Sequence, residues 1–198
     1  LEADDADAVA RWEAFVAATP AATFFQRAGW LNIMQEVFRH PAFFLYAERG
    51  DTIEGILPLA QVNSRLFGNA LIALPFAVYG GVVANTDEAA AALEAEAERL
   101  ARALDVEHLE YRNTVPRHAD WPKQDLYVTF RKEILPDEEA NMLAIPRKQR
   151  AMVRKSMKHG LRSAIDPDAA RFFALYADNV RRHGTPALPK RYFDTLLR

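Results

Sequence analysis

Two stretches rich in strand-forming residues, 42–48 (AFFLYAE) and 52–63 (TIEGILPLAQVN), flank Arg49-Gly50-Asp51. Glycine enters a tight reversal without steric penalty, so the three segments predict an antiparallel hairpin. A hairpin this apolar has to hide its faces, and that demand limits what the neighbouring segments become. Residues 4–19 place Ala8, Val9, Trp12, Phe15 and Val16 at helical spacing, and Pro20 closes the segment. Thr23 is the expected cap of a second helix at 27–38, carrying Trp30, Leu31, Ile33, Met34, Val37 and Phe38, and Pro41 ends it. A turn at 66–69 leads to a third strand at 70–74. Residues 87–104 form the clearest helix, mostly Ala, Glu, Leu and Arg, with Asp87 as the expected N-cap. Residues 106–112 and 126–134 read as further strands around a proline-bearing loop at 113–123. The order predicts an α+β module whose sheet is covered on both faces.

Charge divides the chain. Residues 141–198 hold 13 Lys and Arg against 4 Asp and Glu, while the rest holds 12 against 23. An acidic module, 1–136, is thus followed by a basic one, 137–198, a division that points to an anionic ligand near the second. Within the basic module, residues 146–160 (PRKQRAMVRKSMKHG) carry Arg147, Lys148, Arg150, Arg154, Lys155 and Lys158. On a helix these fall within about 160° of the circumference, with Pro146 suited to the start and Gly160 to the stop. The expectation is a packed helix that shows water a strip of positive charge. Residues 161–165 are a short strand candidate. Asp166 or Asp168 then caps a helix at 169–183, with Phe172, Phe173, Leu175, Tyr176 and Val180 as its buried stripe. Gly184-Thr185-Pro186 breaks that helix, and Pro189 opens a last one with Tyr192, Phe193 and Leu196.

Composition excludes several classes. The chain has 198 residues, half of them hydrophobic, enough for a sizeable core. It has no cysteine, which removes disulfides, thiolate metal sites and a cysteine nucleophile. No apolar run reaches the length of a membrane span, and the start, LEADDADAVARW, is not a signal peptide, so a cytoplasmic location is expected. A start without Met and a stop at Leu196-Leu197-Arg198, inside a helical pattern, read as a fragment of a longer protein, inactive by itself and low in stability at its C-terminal end.

Three motifs are candidates for chemistry. The basic helix has two readings, a solvated face or an anion-binding surface. Residues 146–165 contain no Asp or Glu to provide i,i+4 support, which favours the anion. A diphosphate-linked substrate, a tRNA or peripheral contact with an anionic membrane surface fits such a strip. Tyr79-Gly80-Gly81 is either a turn or a place where backbone N–H groups freed by two glycines face a ligand. His183-Gly184-Thr185-Pro186 is either an ordinary helix C-cap or a loop lining a cleft. The five histidines have no metal-ligand spacing, and HExxH, GxSxG and Walker A patterns are missing. Asp125, Glu107 and Glu110 are potential general bases, and nothing in the sequence selects one.

Phe25-Gln26…Gly29-Trp30, Leu74-Pro75-Phe76…Tyr79-Gly80-Gly81, and Ile145-Pro146-Arg147-Lys148-Gln149-Arg150…Val153-Arg154-Lys155…Gly160 followed by Arg182-His183-Gly184-Thr185-Pro186…Leu188-Pro189…Phe193 occur in one order. Together they resemble the FemAB-like family, the peptidoglycan-bridge aminoacyltransferases and their relatives, closest to the branch beside exopolysaccharide and exosortase-type (PEP-CTERM) sorting systems. The resemblance implies tandem Gcn5-related N-acetyltransferase-like domains, residues 1–136 being the first and 137–198 the start of a truncated second. It implies an acyl- or aminoacyltransferase using aminoacyl-tRNA or acyl-CoA as donor substrate, with no permanently bound cofactor and no metal. The acceptor is an amine of an anionic cell-envelope precursor, of peptidoglycan or exopolysaccharide. On this reading Arg147, Lys148, Arg150, Arg154 and Lys155 hold the anionic part of a substrate or of tRNA. Tyr79, Gly80 and Gly81, with His183 and Thr185, line the cleft. Where muropeptide-acting members often carry a lysine, this chain reads Ile33-Met34-Gln35-Glu36. The reading from a different class is a non-catalytic nucleic-acid- or anion-binding module on the same fold.

Overall fold

The computed structural model describes all residues of 1–198 except Phe67 and residues 125–127. Helix α1 spans Ala6–Ala18, started by Asp5, whose carboxylate accepts the Ala8 N–H at 3.0 Å. Thr23 does act as a cap, but of a single 3₁₀ turn, Phe24–Gln26, and Gln26 answers it in a reciprocal capping box. Helix α2, Gly29–Asn32, follows and widens into a π-helical stretch, Ile33–Phe38. Arg39, in the left-handed conformation (φ 57°), stops it ahead of Pro41. The helix expected at 27–38 is therefore a short α-helix that runs into a π-helical stretch, with a separate 3₁₀ turn ahead of it.

The hairpin is present. Strand β1, Ala42–Arg49, pairs with β2, Thr52–Ser64, from Ala42 opposite Ala60 to Arg49 opposite Thr52, and Gly50 turns at φ 60°. The second edge of β2 is shared. Strand β3, Gly68–Ile72, takes positions 60–64, and the short β4, Val83–Ala84, takes Gly55 and Ile56. Between them Leu57, Pro58 and Leu59 have no strand partner on that side among the described residues. Pro58, which lacks an N–H, sits where its donor is not missed. Helix α3, Asp87–Ala103, then returns the chain so that β5, His108–Glu110, lies parallel to β3. The cap of α3 is Thr86, which accepts the Ala89 N–H, and Asp87 sits one residue later in the first turn. Sequence alone does not separate the two: both residue types cap well, and an acid in the first turn also suits the helix dipole.

The resulting mixed α+β sheet buries both faces. Phe44, Ile56, Ala60 and Val83 pack with Trp12, Phe15, Trp30, Leu31 and Met34 of the N-terminal helices. Leu57, Leu59, Leu71 and Ala73 pack on the other face against Leu93 and Ala97 of α3. The alternation of Ile56 and Leu57 between clusters is the period-2 rule of a strand buried on two sides. Full burial of side chains of this size contributes about 1.5–3 kcal/mol each.

The chain forms two compact units, Leu1–Arg117 together with Asp168–Arg198, and His118–Pro167. These cut the chain at other places than residue 136. The first unit also holds α6, Ala170–Arg182, and α7, Lys190–Leu196. Tyr192 of α7 is buried against Trp30 and Phe38, and Arg191 donates to the Val37 carbonyl at 2.6 Å. Asp168 receives the Ala170 N–H at 2.7 Å at the start of α6. The expected buried stripe of α6 is only partly covered. Phe193 of α7 meets Phe172, Phe173 and Tyr176, yet Phe172 and Leu175 stay exposed and no residue of α6 is buried.

The second unit contains α4, Glu138–Leu143, and α5, Arg147–Met157. Of the strand expected at 126–134, residues 126 and 127 lie outside the described residues, and 128–134 form no strand; Val128, Phe130 and Ile134 are exposed. The strand expected at 161–165 is also not formed. Strand-forming composition describes a residue that fits a paired, half-buried surface, and these segments have no described neighbour to pair with. We expect amide exchange by NMR to be slow in α3 and at least tenfold faster in α6, which buries no residue. Uniformly high protection from Ala170 to Leu196 would contradict the packing described.

Candidate functional site

The excursion from Ala73 to Val82, between β3 and β4, forms one wall of a concavity in the first unit. It is unusual in its backbone: Leu74 and Phe76 both have positive φ, 54° and 67°, on either side of Pro75. Side chains with a Cβ enter this region at a cost, so surrounding contacts must hold them there. Leu74 is fully buried, and the Phe76 ring stacks on Phe38 at 4.0 Å and on His40 at 6.0 Å. Burial holds the His40 pKa below the usual histidine value. Arg112, just past β5, ties the excursion down. Its Nη1 donates to the Ala77 carbonyl at 2.8 Å, its backbone pairs with Gly80 in an isolated antiparallel bridge, and its Nε donates to Glu110 at 2.8 Å.

The two glycines are required by contact. A Cβ on Gly80 would overlap the Ala73 carbonyl, and one on Gly81 (φ 153°) would overlap Asn113 Oδ1. The sequence reading that both glycines free their N–H groups needs correction. The Gly80 N–H donates to the Arg112 carbonyl at 3.0 Å, whereas the Gly81 N–H has no acceptor among the described residues.

A cavity of about 420 Å³ opens here, lined by Tyr79, Gly80 and Gly81 together with Thr23, Gln26, Arg112, Asn113 and Arg117. The Tyr79 ring stands edge-on to Phe25 at 6.0 Å. The 3₁₀ turn that brings Gln26 to the wall is anchored on α1: Trp12 Nε1 donates to the Gln26 carbonyl at 2.7 Å, and Glu13 accepts the Ala28 N–H at 2.6 Å. Two sequence motifs far apart in the chain thus share one cavity. Arg112, Asn113 and Arg117 escaped the sequence reading. Their only signal was that the alternating pattern of 106–112 ended at Arg112-Asn113, and a single arginine among many cations carries little information.

The remaining candidates lie elsewhere. His183 and Thr185 are exposed and do not line this cavity. They end α6 in a Schellman motif: the Gly184 N–H, at φ 73°, donates to the Arg181 carbonyl and the Thr185 N–H to the Val180 carbonyl. Of the potential bases, Glu110 pairs with Arg112, Glu107 accepts the Asn69 N–H, and Asp125 lies outside the described residues. Burial drives the phenol of neighbouring Tyr111 well above the ordinary tyrosine pKa, which keeps it protonated. Among the described residues no cluster of His, Asp or Glu fits a metal ion.

In the second unit α5 is a helix of the expected extent, but it is not packed: no residue of it is buried, and Met152 and Met157 are exposed. Arg150 is not part of a free strip. Its guanidinium donates to the Leu143 carbonyl at 2.9 Å and to the Ile145 carbonyl at 3.0 Å, closing the end of α4. Arg147, Lys148, Arg154, Lys155 and Lys158 make no side-chain hydrogen bond or ion pair with a described residue.

The fold is mixed α+β, and among the described residues no helix is long and apolar enough to cross a membrane. Compared with models of known protein families and with curated proteins, the sequence matches none.

Two outcomes follow. Gly80→Ala drives a methyl into a backbone carbonyl and is expected to cost about 1–3 kcal/mol in a urea melt. Arg150→Ala removes the closure of α4 and is expected to lower helical circular dichroism, whereas Arg154→Ala leaves it unchanged; equal effects would return Arg150 to the free strip.

Proposed function

We propose that the protein is an acyl- or aminoacyltransferase of the FemAB-like group, built on tandem Gcn5-related N-acetyltransferase-like domains and acting on an amine of a cell-envelope precursor. The observation that carries the reading is the meeting of Gln26, from Phe25-Gln26…Gly29-Trp30, with Tyr79-Gly80-Gly81 at one cavity. In the proposed reaction a neutral amine attacks the carbonyl of an aminoacyl-tRNA ester or an acyl-CoA thioester. The new C–N bond forms, the tRNA hydroxyl or coenzyme thiol leaves, and the amine gives up a proton. The protein contributes positioning and a donor for the developing oxyanion, and the cavity beside Tyr79-Gly80-Gly81 takes the acceptor. Arg147, Lys148, Arg154 and Lys155 take the anionic part of the substrate or the tRNA, and Arg150 is committed to α4.

The unpaired cations of α5 also favour a second reading, an anion- or nucleic-acid-binding module without turnover. The two separate on one assay. Full-length protein is given radiolabelled aminoacyl-tRNA or acyl-CoA with a panel of peptidoglycan and exopolysaccharide precursors. Label is expected on an acceptor amine, and Arg154→Glu with Lys155→Glu is expected to weaken binding of the anionic partner at least tenfold. Binding without label transfer from either donor would favour the second reading.

A further inference from the structure

The cavity beside Tyr79-Gly80-Gly81 presents hydrogen-bonding groups suited to an uncharged amide. Gln26 lines it although only 3% of the residue is exposed. Its Oε1 is occupied twice, by the Thr23 backbone N–H at 2.8 Å and by the Thr23 hydroxyl at 2.6 Å. Those two donors fix which end of the side-chain amide is oxygen, and the Nε2 group donates to no described residue. The Nε2 group is not among the buried unpartnered atoms of the described residues, so it is a donor open to the cavity and available to a ligand carbonyl. The Gly81 N–H is a second unused donor on the same wall. The Asn113 side chain, packed against Gly81, makes no hydrogen bond to a described residue and adds an acceptor and a donor.

Charge narrows the ligand. Among the described residues the lining has no acidic side chain, and its two arginines are already paired, Arg112 with Glu110 at 2.8 Å and Arg117 with Glu94 at 2.7 Å. A diphosphate seated here would lose its hydration with no uncompensated cation to replace it. A secondary amide has what the wall lacks: a carbonyl oxygen for the donors and an N–H for Asn113 Oδ1. We infer that this cavity binds an uncharged peptide-like or N-acyl amide, its carbonyl oxygen held by Gln26 Nε2 and the Gly81 N–H and its N–H by Asn113. The Thr23–Gln26 capping box thereby acts beyond local structure, because it turns the Gln26 amide so that its NH₂ is the end left for a ligand. The inference rests on reading this cavity as the acceptor site, but its test needs no turnover, so the two can fail separately.

The test is an NMR titration of the full-length protein with N-acetyl-L-alanine methylamide, and in parallel with pyrophosphate. Saturable shifts of the Gly81 amide and of the Gln26 side-chain NH₂ are expected with the amide and not with pyrophosphate. Gln26→Glu keeps an oxygen for the capping box and removes the donor. At pH 8, with an unchanged thermal midpoint, it is expected to weaken binding at least tenfold. Asn113→Ala, which leaves the capping box untouched, is expected to weaken binding severalfold and serves if Gln26→Glu fails to fold. Wild-type affinity in Asn113→Ala or in folded Gln26→Glu overturns the inference, as does a Gly81 shift produced by pyrophosphate alone. Amide binding without label transfer overturns only the transferase reading.

Discussion

The division of one strand edge between two neighbours is the constraint from which the site follows. Strand β2 pairs with β1 from residue 52 to residue 60, but its second edge goes to β3 at one end and β4 at the other. The chain between them cannot continue as a strand, and must leave the sheet at Ala73 and return at Val83. Unusual backbone is concentrated on that excursion: two non-glycine residues at positive φ and two glycines that admit no Cβ, with Arg112 from beyond β5 gripping a loop carbonyl. Strain of this kind persists where neighbours over-determine it, and such places are often ligand sites.

The excursion gains its second wall from an unrelated part of the chain. Glu13 and Trp12 of α1 fix a single 3₁₀ turn, which carries Gln26 to the cavity. The hydrogen bonds that shape the turn therefore also orient the side chain that faces the cavity. A separate unit carries the cations of α5. Division of labour follows from their chemistry: paired arginines and unused amides suit an uncharged group, whereas unpaired surface cations suit a phosphate-rich one.

Legibility in the sequence varied with how local the determining interaction was. The β1–β2 hairpin was readable because Gly50 and the flanking strand formers act over a few residues. Helix α3 was equally plain, and its cap was misplaced by one residue only because Thr86 and Asp87 are both good candidates. The π-helical stretch Ile33–Phe38 was not readable, since nothing in its apolar spacing distinguishes it from an α-helix. Strands expected at 126–134 and 161–165 failed for the described residues because a strand needs a partner that composition does not supply. Arg150 looked like its neighbours on a helical wheel, and only the fold reveals that it caps α4. The glycines of Tyr79-Gly80-Gly81 were rightly read as a sign of close approach. What approaches Gly80 is its own backbone, and only Gly81 keeps an open N–H.

Arg112 is the residue through which the central claim is most exposed, since it holds the excursion without belonging to any motif read from the sequence. The decisive measurement is label transfer by full-length Arg112→Ala, with amide exchange recorded on the same sample. With the β1–β2 hairpin still protected and the excursion from Ala73 to Val82 exchanging faster, transfer is predicted to fall at least tenfold. Transfer at the wild-type rate from a protein whose excursion has come loose would contradict the account.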